Sequence, residues 1–285
     1  RIPLKKDQVL MQTWHGSLGI KRLDGNIVMD KIWKKNAKWS KKYTSYLISN
    51  IDFETDVLHT SYWGDQIPIL RYGHARNDIL LNPDSEEALK IKSKVYEELG
   101  ITDTHKHIAM FAPTHRDGQT ESPIPLQYDE LKEALEERFG GEWLILLRFH
   151  SRLKALSREW VENLPDYVVD ATPYPDMQDI LLITDVGITD YSSWIFDYIL
   201  LKKPGFIITG DDMEQYVKDR DFYYPLDTTP FPIEVDCKEL VRNIKAFDEE
   251  LFQKRTEDFL KARGCMDDGH ASERIADKIL EIINS

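Results

Sequence analysis

The chain is poor in cysteine: Cys237 and Cys265 are the only two in 285 residues. Two thiols make no disulfide framework, and their spacing matches no zinc motif, so a reducing cytosol is the expected setting. Apolar runs are short, and none approaches the roughly 20 residues needed to cross a bilayer. No stretch of these residues reads as a secretory leader. The chain opens without Met, on Arg1-Ile-Pro-Leu-Lys-Lys directly before an apolar run, which predicts a start inside the first domain of a longer protein. No internal repeat or low-complexity tract interrupts it. The acidic residues form no recognisable metal cluster, so no tightly held metal is expected. Positive charge is the minority: 37 Lys and Arg stand against 50 Asp and Glu, a net charge of -13. That balance argues against general nucleic-acid binding, which needs a broad basic surface. What remains is 41% hydrophobic with 11% aromatic residues, enough for two ordinary domains or one large one.

One segment departs from the acidic average. Lys31, Lys34, Lys35, Lys38, Lys41 and Lys42 fall at helical spacing on one face, with Trp33 and Trp39 nearby. A basic helix with tryptophans suits an anionic membrane surface or a polyanion. The same pattern also describes a solvated charged face.

The stretch from Ile180 to Ile208 carries the most connected signal. Ile180 to Ile183 is a continuous apolar run, expected as a strand buried on both faces. Asp190 to Ser193 offer small oxygen-bearing side chains suited to a helix N-cap. Apolar residues then recur at Trp194, Ile195, Tyr198, Ile199 and Leu201, and Lys202, Lys203 and Pro204 close the helix. Phe206 to Ile208 is the next expected strand. A polar loop aimed at a helix N-terminus suits a phosphate; it suits an ordinary cap equally well.

Elsewhere, strands are expected at Val9–Thr13, Tyr46–Ser49, Ile67–Leu70, His107–Ala112, Trp143–Phe149 and Tyr167–Val169. Helices are expected at Phe53–Trp63, Pro83–Leu99, Tyr128–Phe139, Leu153–Trp160, Asp211–Lys218, Lys238–Arg263 and Ser272–Ile283. Glu121–Pro125 and the aromatic, Pro-rich Phe222–Pro232 read as irregular. Strands alternating with helices predict an α/β fold with a parallel sheet covered on both faces and right-handed crossovers. Ligands in such sheets sit beyond the carboxyl ends of the strands. Polar residues fall there: Thr114, His115 and Arg116 after one strand, Arg148 and His150 after the next, Thr172 after a third, Asp190 to Ser193 after a fourth. Together they predict one anion-binding rim. Two members have plainer readings: Arg116 as a structural pair with Asp117, and Asp190 as a cap.

Several motifs, in order, resemble one family. They are Gln12-Thr13-Trp14-His15-Gly16, Phe111-Ala112-Pro113-Thr114-His115-Arg116-Asp117, Leu147-Arg148-Phe149-His150, and Ile188-Thr189-Asp190-Tyr191-Ser192-Ser193. Phe196-Asp197, Lys203-Pro204 and the late Asp268-Gly269-His270-Ala271-Ser272-Glu273-Arg274-Ile275 complete the set. The chain resembles the CDP-glycerol glycerophosphotransferases, the teichoic acid primases and polymerases and related bacterial capsule polymerases, over nearly its whole length. Two positions depart from the family pattern: Ser17-Leu18 stands where Thr-Pro is usual, and Ser151 where Pro is usual. These bear on acceptor and product more than on the chemistry.

The resemblance implies a GT-B architecture of two Rossmann-like domains facing a cleft, the first incomplete in this chain. Residues 1–104 would be the remainder of the acceptor-side domain and 105–285 the nucleotide-side domain, with the last helix able to cross back. The implied reaction moves glycerol phosphate or ribitol phosphate from a CDP-linked donor to a hydroxyl of a growing polymer or lipid-linked primer, releasing CMP. His15 is expected as general base, with His150 as the second catalytic histidine. Thr114, Arg116, Arg148, Thr172, Asp190, Ser192 and Ser193 are expected to hold the donor and its phosphates. No cofactor is expected to be tightly bound, although Mg²⁺ can accompany the donor. The lysine face would meet acceptor, polymer or the inner face of the cell membrane, making the protein cytoplasmic and peripheral. Two rival classes stay open: a GT-B glycosyltransferase or epimerase using a nucleotide sugar, and a non-catalytic polyanion-binding protein.

Overall fold

The computed structural model describes residues 4–5, 7–14, 16, 19, 22, 31–114, 126–150, 162, 164–210 and 222–284. His15 and Arg116 lie outside the described residues, as do the helices expected at Leu153–Trp160 and Asp211–Lys218 and the excursion at 121–125.

The first half contains strand β1 (Met11–Gln12), helix α1 (Lys31–Tyr43), β2 (Tyr46–Ser49), α2 (Asp52–Thr60) and β3 (Ile69–Arg71). The strands pair parallel in the order β1-β2-β3. Their small core is Leu47, Leu58, Trp63 and Ile67. Two helices follow, α3 (Asp78–Leu81) and α4 (Glu86–Glu98). The Ser85 hydroxyl accepts from the Ala88 N–H to start α4, as a serine N-cap does.

The second half runs β4 (His107–Phe111), α5 (Tyr128–Phe139), β5 (Trp143–Leu147), β6 (Val168–Asp170), α6 (Met177–Ile183), β7 (Val186–Thr189), α7 (Trp194–Tyr198), β8 (Gly205–Ile208) and β9 (Ile233–Glu234). It ends with α8 (Cys237–Lys245), α9 (Glu249–Ala262) and α10 (Ala271–Ile283). All six strands are parallel, in the order β6-β5-β4-β7-β8-β9. The order reverses between β4 and β7. In a doubly wound sheet that reversal opens a crevice beyond the carboxyl ends of the two strands. The core is continuous across this sheet, with every residue of β5, β7 and β8 buried. It also takes in Ala88 and Val95 of α4, so the helix preceding β4 packs with the second half.

Three expectations are corrected. Ile180–Ile183 is the end of helix α6, and the strand is Val186–Thr189. A short apolar run reads alike for a buried strand and a buried helix; here the Asp176 carboxylate accepts from the Gln178 N–H and starts a helix. The long helix expected over Lys238–Arg263 is two, α8 and α9. Asp248 caps the second through the Leu251 N–H, while Phe247 sits buried at the break against Phe139, Phe206 and Phe252. Strand β9 has no counterpart among the expected elements.

The halves are joined by a buried polar seam. On α7, Asp197 accepts from Arg76 Nε at 2.9 Å and Nη2 at 3.2 Å, from Asn77 Nδ2 at 3.2 Å and from Gln178 Nε2 at 3.1 Å. Burial opposes charge on Arg76, yet Asp197 beside it carries its pKa above the ordinary value. Asp267 accepts from Asn50 Nδ2 at 2.5 Å, the His74 N–H at 2.7 Å and Asn77 Nδ2 at 3.2 Å. Asp78 accepts from the N–H groups of Ala271 and Ser272 at 3.0 and 2.6 Å, capping α10. Arg274 donates to the Tyr72 carbonyl. The last helix therefore crosses back onto the first half.

At the far edge of the large sheet, Glu234 is fully buried and burial pushes its carboxyl up to about 8, with one hydrogen bond from Asn243 Nδ2 opposing. A folded pKa raised above the unfolded value gives stability that is complete near pH 4 and lost as pH rises through about 8. Between pH 5 and 9 the midpoint of thermal unfolding should therefore fall. Glu234→Gln, which stays neutral, should remove that component, worth on the order of 5 kcal/mol. Identical slopes for the two proteins would refute the assignment.

Candidate functional site

The crevice between β4 and β7 is built by residues that reach across it. Thr114, three residues past β4, donates both its N–H and its hydroxyl to Asp190 Oδ1, each at 2.7 Å. The Tyr191 N–H donates to the same oxygen at 2.5 Å. Asp190 is fully buried. One carboxylate thus ties the ends of the two central strands and fixes the path of both loops. Thr189 and Trp194 reinforce the tie: the Thr189 hydroxyl and Trp194 Nε1 both donate to the Ala112 carbonyl, at 2.7 and 2.9 Å. On the far side, the Tyr191 hydroxyl donates to the Thr209 carbonyl at 3.0 Å. Ser192 and Ser193 lie between these anchors, half-buried, directly before α7. Neither serves as a side-chain cap: Ser193 holds the N-cap position without a side-chain hydrogen bond.

The first half approaches this loop. Gly19 donates its N–H to the Gly16 carbonyl at 2.7 Å. A Cβ at Gly19 would stand 3.4 Å from Cβ of Ser193 and 2.7 Å from the Gly16 carbonyl oxygen. Residue 19 therefore has no room for a side chain, and Gly19 rests against Ser193. Further along, Arg22 Nε donates to the Phe222 carbonyl at 3.5 Å and its guanidinium lies 5.8 Å from the Tyr223 ring. Arg22 thus meets the segment that opens at Phe222. The expected base, His15, directly precedes Gly16 but lies outside the described residues.

The next two strand ends hold each other. The Phe149 N–H donates to the buried Thr172 hydroxyl at 3.0 Å, and the Thr172 N–H donates to Asp170 Oδ1 at 2.9 Å. Arg148 Nη1 donates to the carbonyls of Ala171 at 3.1 Å and Tyr174 at 2.6 Å, and its Nη2 to that of Pro175 at 3.4 Å. Burial pulls its guanidinium pKa below the ordinary value. His150 follows at once and is exposed. Thr114, Asp190, Ser192 and Ser193 thus share the β4–β7 crevice, while Thr172, Arg148 and His150 belong to the adjacent β5–β6 ends.

The lysine segment is helix α1, and Ala37 is its one buried residue. Trp63 Nε1 donates to the Ser40 hydroxyl at 3.0 Å, pinning the side that faces the protein. At 100° per residue the six lysines occupy an arc of about 120° away from that side. All six are exposed, and Ile32 and Trp33 are 72% and 55% exposed.

Among the described residues no group of three or more His, Cys, Asp or Glu is placed to hold a metal ion. Among them, too, no helix is long and apolar enough to cross a membrane. The seam residues Arg76, Asn77, Gln178 and Asp267 were not singled out from the sequence. Asp197 offered the one available signal, a carboxylate set in the apolar stripe of α7.

Comparison with known proteins finds similarity over nearly the whole chain. The family described as CDP-Glycerol:Poly(glycerophosphate) glycerophosphotransferase matches residues 2–281. A teichoic acid poly(glycerol phosphate) polymerase of Staphylococcus epidermidis is 31% identical over 290 residues, covering 96% of this chain and 39% of that protein. A teichoic acid ribitol-phosphate primase of Bacillus spizizenii is 30% identical over 294 residues, covering 100% of this chain and 72% of that protein. The chain therefore spans about two-fifths of the first relative and nearly three-quarters of the second. The structure of the wall teichoic acid polymerase TagF superimposes with a TM-score of 0.82 at 29% identity, over 100% of this chain and 71% of that one. A TagF variant soaked with CDPG gives a TM-score of 0.79 over 99% of this chain and 70% of that one.

Proposed function

The chain belongs to the CDP-Glycerol:Poly(glycerophosphate) glycerophosphotransferase family, and from that premise we propose that it transfers a polyol phosphate from a CDP-linked donor to a polymer hydroxyl, releasing CMP. The observation that carries the proposal is the meeting at Ser193: Gly19 abuts the loop that Asp190 ties across the crevice. Residues 1–104 then form the acceptor side and 105–285 the donor side of one cleft.

In this reading the diphosphate of the donor lies at Ser192 and Ser193 with Arg116 beside it, while Thr114, its N–H and hydroxyl both given to Asp190, holds the loop. Asp190 holds the loops at fixed spacing through its Oδ1. Thr172 stands toward the nucleotide. His15 removes the proton from the attacking hydroxyl. The oxygen attacks the phosphorus that carries the polyol, a new P–O bond forms, and the bond to the CMP oxygen breaks. His150, at the end of β5, stabilises the negative charge that gathers on the phosphoryl oxygens and the departing CMP. Mg²⁺ accompanying the donor would neutralise part of the same charge. The donor polyol is glycerol or ribitol; both appear in the names of the relatives. The experiment is direct: the protein is incubated with CDP-glycerol, CDP-ribitol and UDP-sugars, and released CMP and UDP are measured. CMP from a CDP-polyol supports the proposal. UDP release alone would favour a sugar-nucleotide enzyme, and no release with retained polyanion binding a non-catalytic protein.

The exposed lysine arc of α1 meets an anionic surface, either the membrane's inner face with its lipid-linked acceptor or the phosphate polymer itself. Each lysine near an anionic bilayer contributes about 1 kcal/mol. Lys34→Glu, Lys35→Glu and Lys38→Glu together should weaken sedimentation with phosphatidylglycerol vesicles at least tenfold and leave CDP-glycerol affinity unchanged. Equal loss of both would mean that α1 serves the fold instead.

A further inference from the structure

Both terminal nitrogens of the Arg148 guanidinium donate to backbone carbonyls. Three backbone carbonyls of one turn, those of Ala171, Tyr174 and Pro175, converge on it. Asp176 is near enough to favour its charge, but burial outweighs that and pulls its pKa down. A side chain placed to bind phosphate keeps its donors pointed at the ligand. This one turns both Nη1 and Nη2 to the turn after β6. The strands concerned are neighbours, with Leu147 of β5 paired to Asp170 of β6. The Ala171 N–H donates to the Leu147 carbonyl at 2.8 Å, and the Phe149 N–H to the Thr172 hydroxyl at 3.0 Å. The Tyr174 hydroxyl then donates to Asp179 at 2.8 Å, fixing the far end of the turn to α6.

From this we propose that Arg148 is a positioning residue: it clamps the 171–175 turn onto the end of β5 and so sets the direction in which the chain presents His150. The clamp needs the planar fork. One guanidinium nitrogen serves two carbonyls while the other serves a third, a geometry that a single ammonium on a flexible stem does not reproduce. Thr172 is the second half of the device, since its hydroxyl takes the N–H of the residue between Arg148 and His150. The inference rests on the proposed transfer reaction for its catalytic consequence, but its structural part stands without it.

The test compares Arg148→Lys, Arg148→Ala and Thr172→Val in the full chain. As a clamp, Arg148 is not rescued by lysine. Both Arg148 variants should lower kcat for CMP release about 10–100-fold, the range that follows from displacing a group near the chemistry. The KM for the CDP-polyol should move less than threefold. Thr172→Val should lower kcat in the same direction, and combining it with Arg148→Lys should add little, because both act on one staple. A phosphate ligand behaves oppositely: lysine restores most of the activity, and alanine raises the donor KM. That pattern would overturn the proposal. Amide hydrogen exchange supplies a readout independent of turnover. In Arg148→Lys, the Phe149 and Ala171 N–H groups should exchange at least tenfold faster than in the unaltered protein, while those of β4 are unchanged. Unchanged exchange at both amides would overturn the clamp even if activity fell. A protein that releases no CMP from any CDP-polyol would refute the transfer reaction, and exchange would still decide the clamp.

Discussion

Replacing His150 by alanine is expected to lower the rate of CMP release from a CDP-polyol about 10²–10⁴-fold, the range set by losing a group that moves a proton or steadies charge in the transition state. His15→Ala is expected to fall in the same range. The chain fold should survive the first change, because His150 is exposed and its neighbours Phe149 and Thr172 hold the strand ends without it. Initial rates at saturating donor, together with an unchanged thermal midpoint, make the measurement clean. Turnover within threefold of the unaltered protein for His150→Ala would remove it from the chemistry. The two histidines also separate by what remains. A base can be bypassed by a stronger nucleophile, so hydroxylamine in place of the polymer should recover part of the activity of His15→Ala. It should recover none for His150→Ala if that residue serves the phosphate.

The second large effect is on stability. Asp197→Ala is expected to cost about 3–5 kcal/mol in urea unfolding, as when one partner of a buried ion pair is removed. The Asp197 side chain is 8% exposed, and its partner Arg76 is 25% exposed. Removing the carboxylate leaves the Arg76 guanidinium and the Gln178 amide without this acceptor and Asn77 Nδ2 with only Asp267. Asp197→Asn, which keeps the shape and one carbonyl, should cost less. A loss below about 1 kcal/mol for the alanine variant would place the pair with ordinary surface bridges, and the seam would have to be held by Asp267 and Asp78 instead.

Much of the fold was legible in the amino-acid pattern because the elements concerned are locally determined. Tyr46–Ser49 and Tyr128–Phe139 were expected at the bounds observed. The second is amphipathic and ends at Gly140, whose φ is +75°, a value few other residues adopt. The failures have a common cause. Ile180–Ile183 is apolar on every side because all four residues are buried in the core, and periodicity vanishes where a helix has no wet face. The join between α8 and α9 hides in continuous amphipathic sequence, where only the buried Phe247 and the Asp248 cap mark the break. Strand β9 is two residues long, and its place comes from pairing with Ile207 and Ile208, a contact no local rule contains.

The site divided in the same way. That Thr114, Asp190, Ser192 and Ser193 fall at strand ends follows from the α/β rule, and the rule needs only the order of elements. Their grouping at one crevice depends on the strand order, which reverses between β4 and β7. Arg148 shows the limit of residue type as a guide. A guanidinium at a ligand edge suggests an anion, but three carbonyls from a turn more than 20 residues away claim it.

The return of the C-terminal segment to the first half has a consequence for synthesis on the ribosome. Hydrogen bonds from His74 to Asp267 and from Arg274 to Tyr72 join residues 193 and 202 positions apart. Asn50, His74, Asn77 and Asp78 therefore emerge from the exit tunnel long before the groups that satisfy them. The large sheet, whose strands are nearer one another in order of emergence, is free to form first, and the early-made half waits for the last-made helix to close over it.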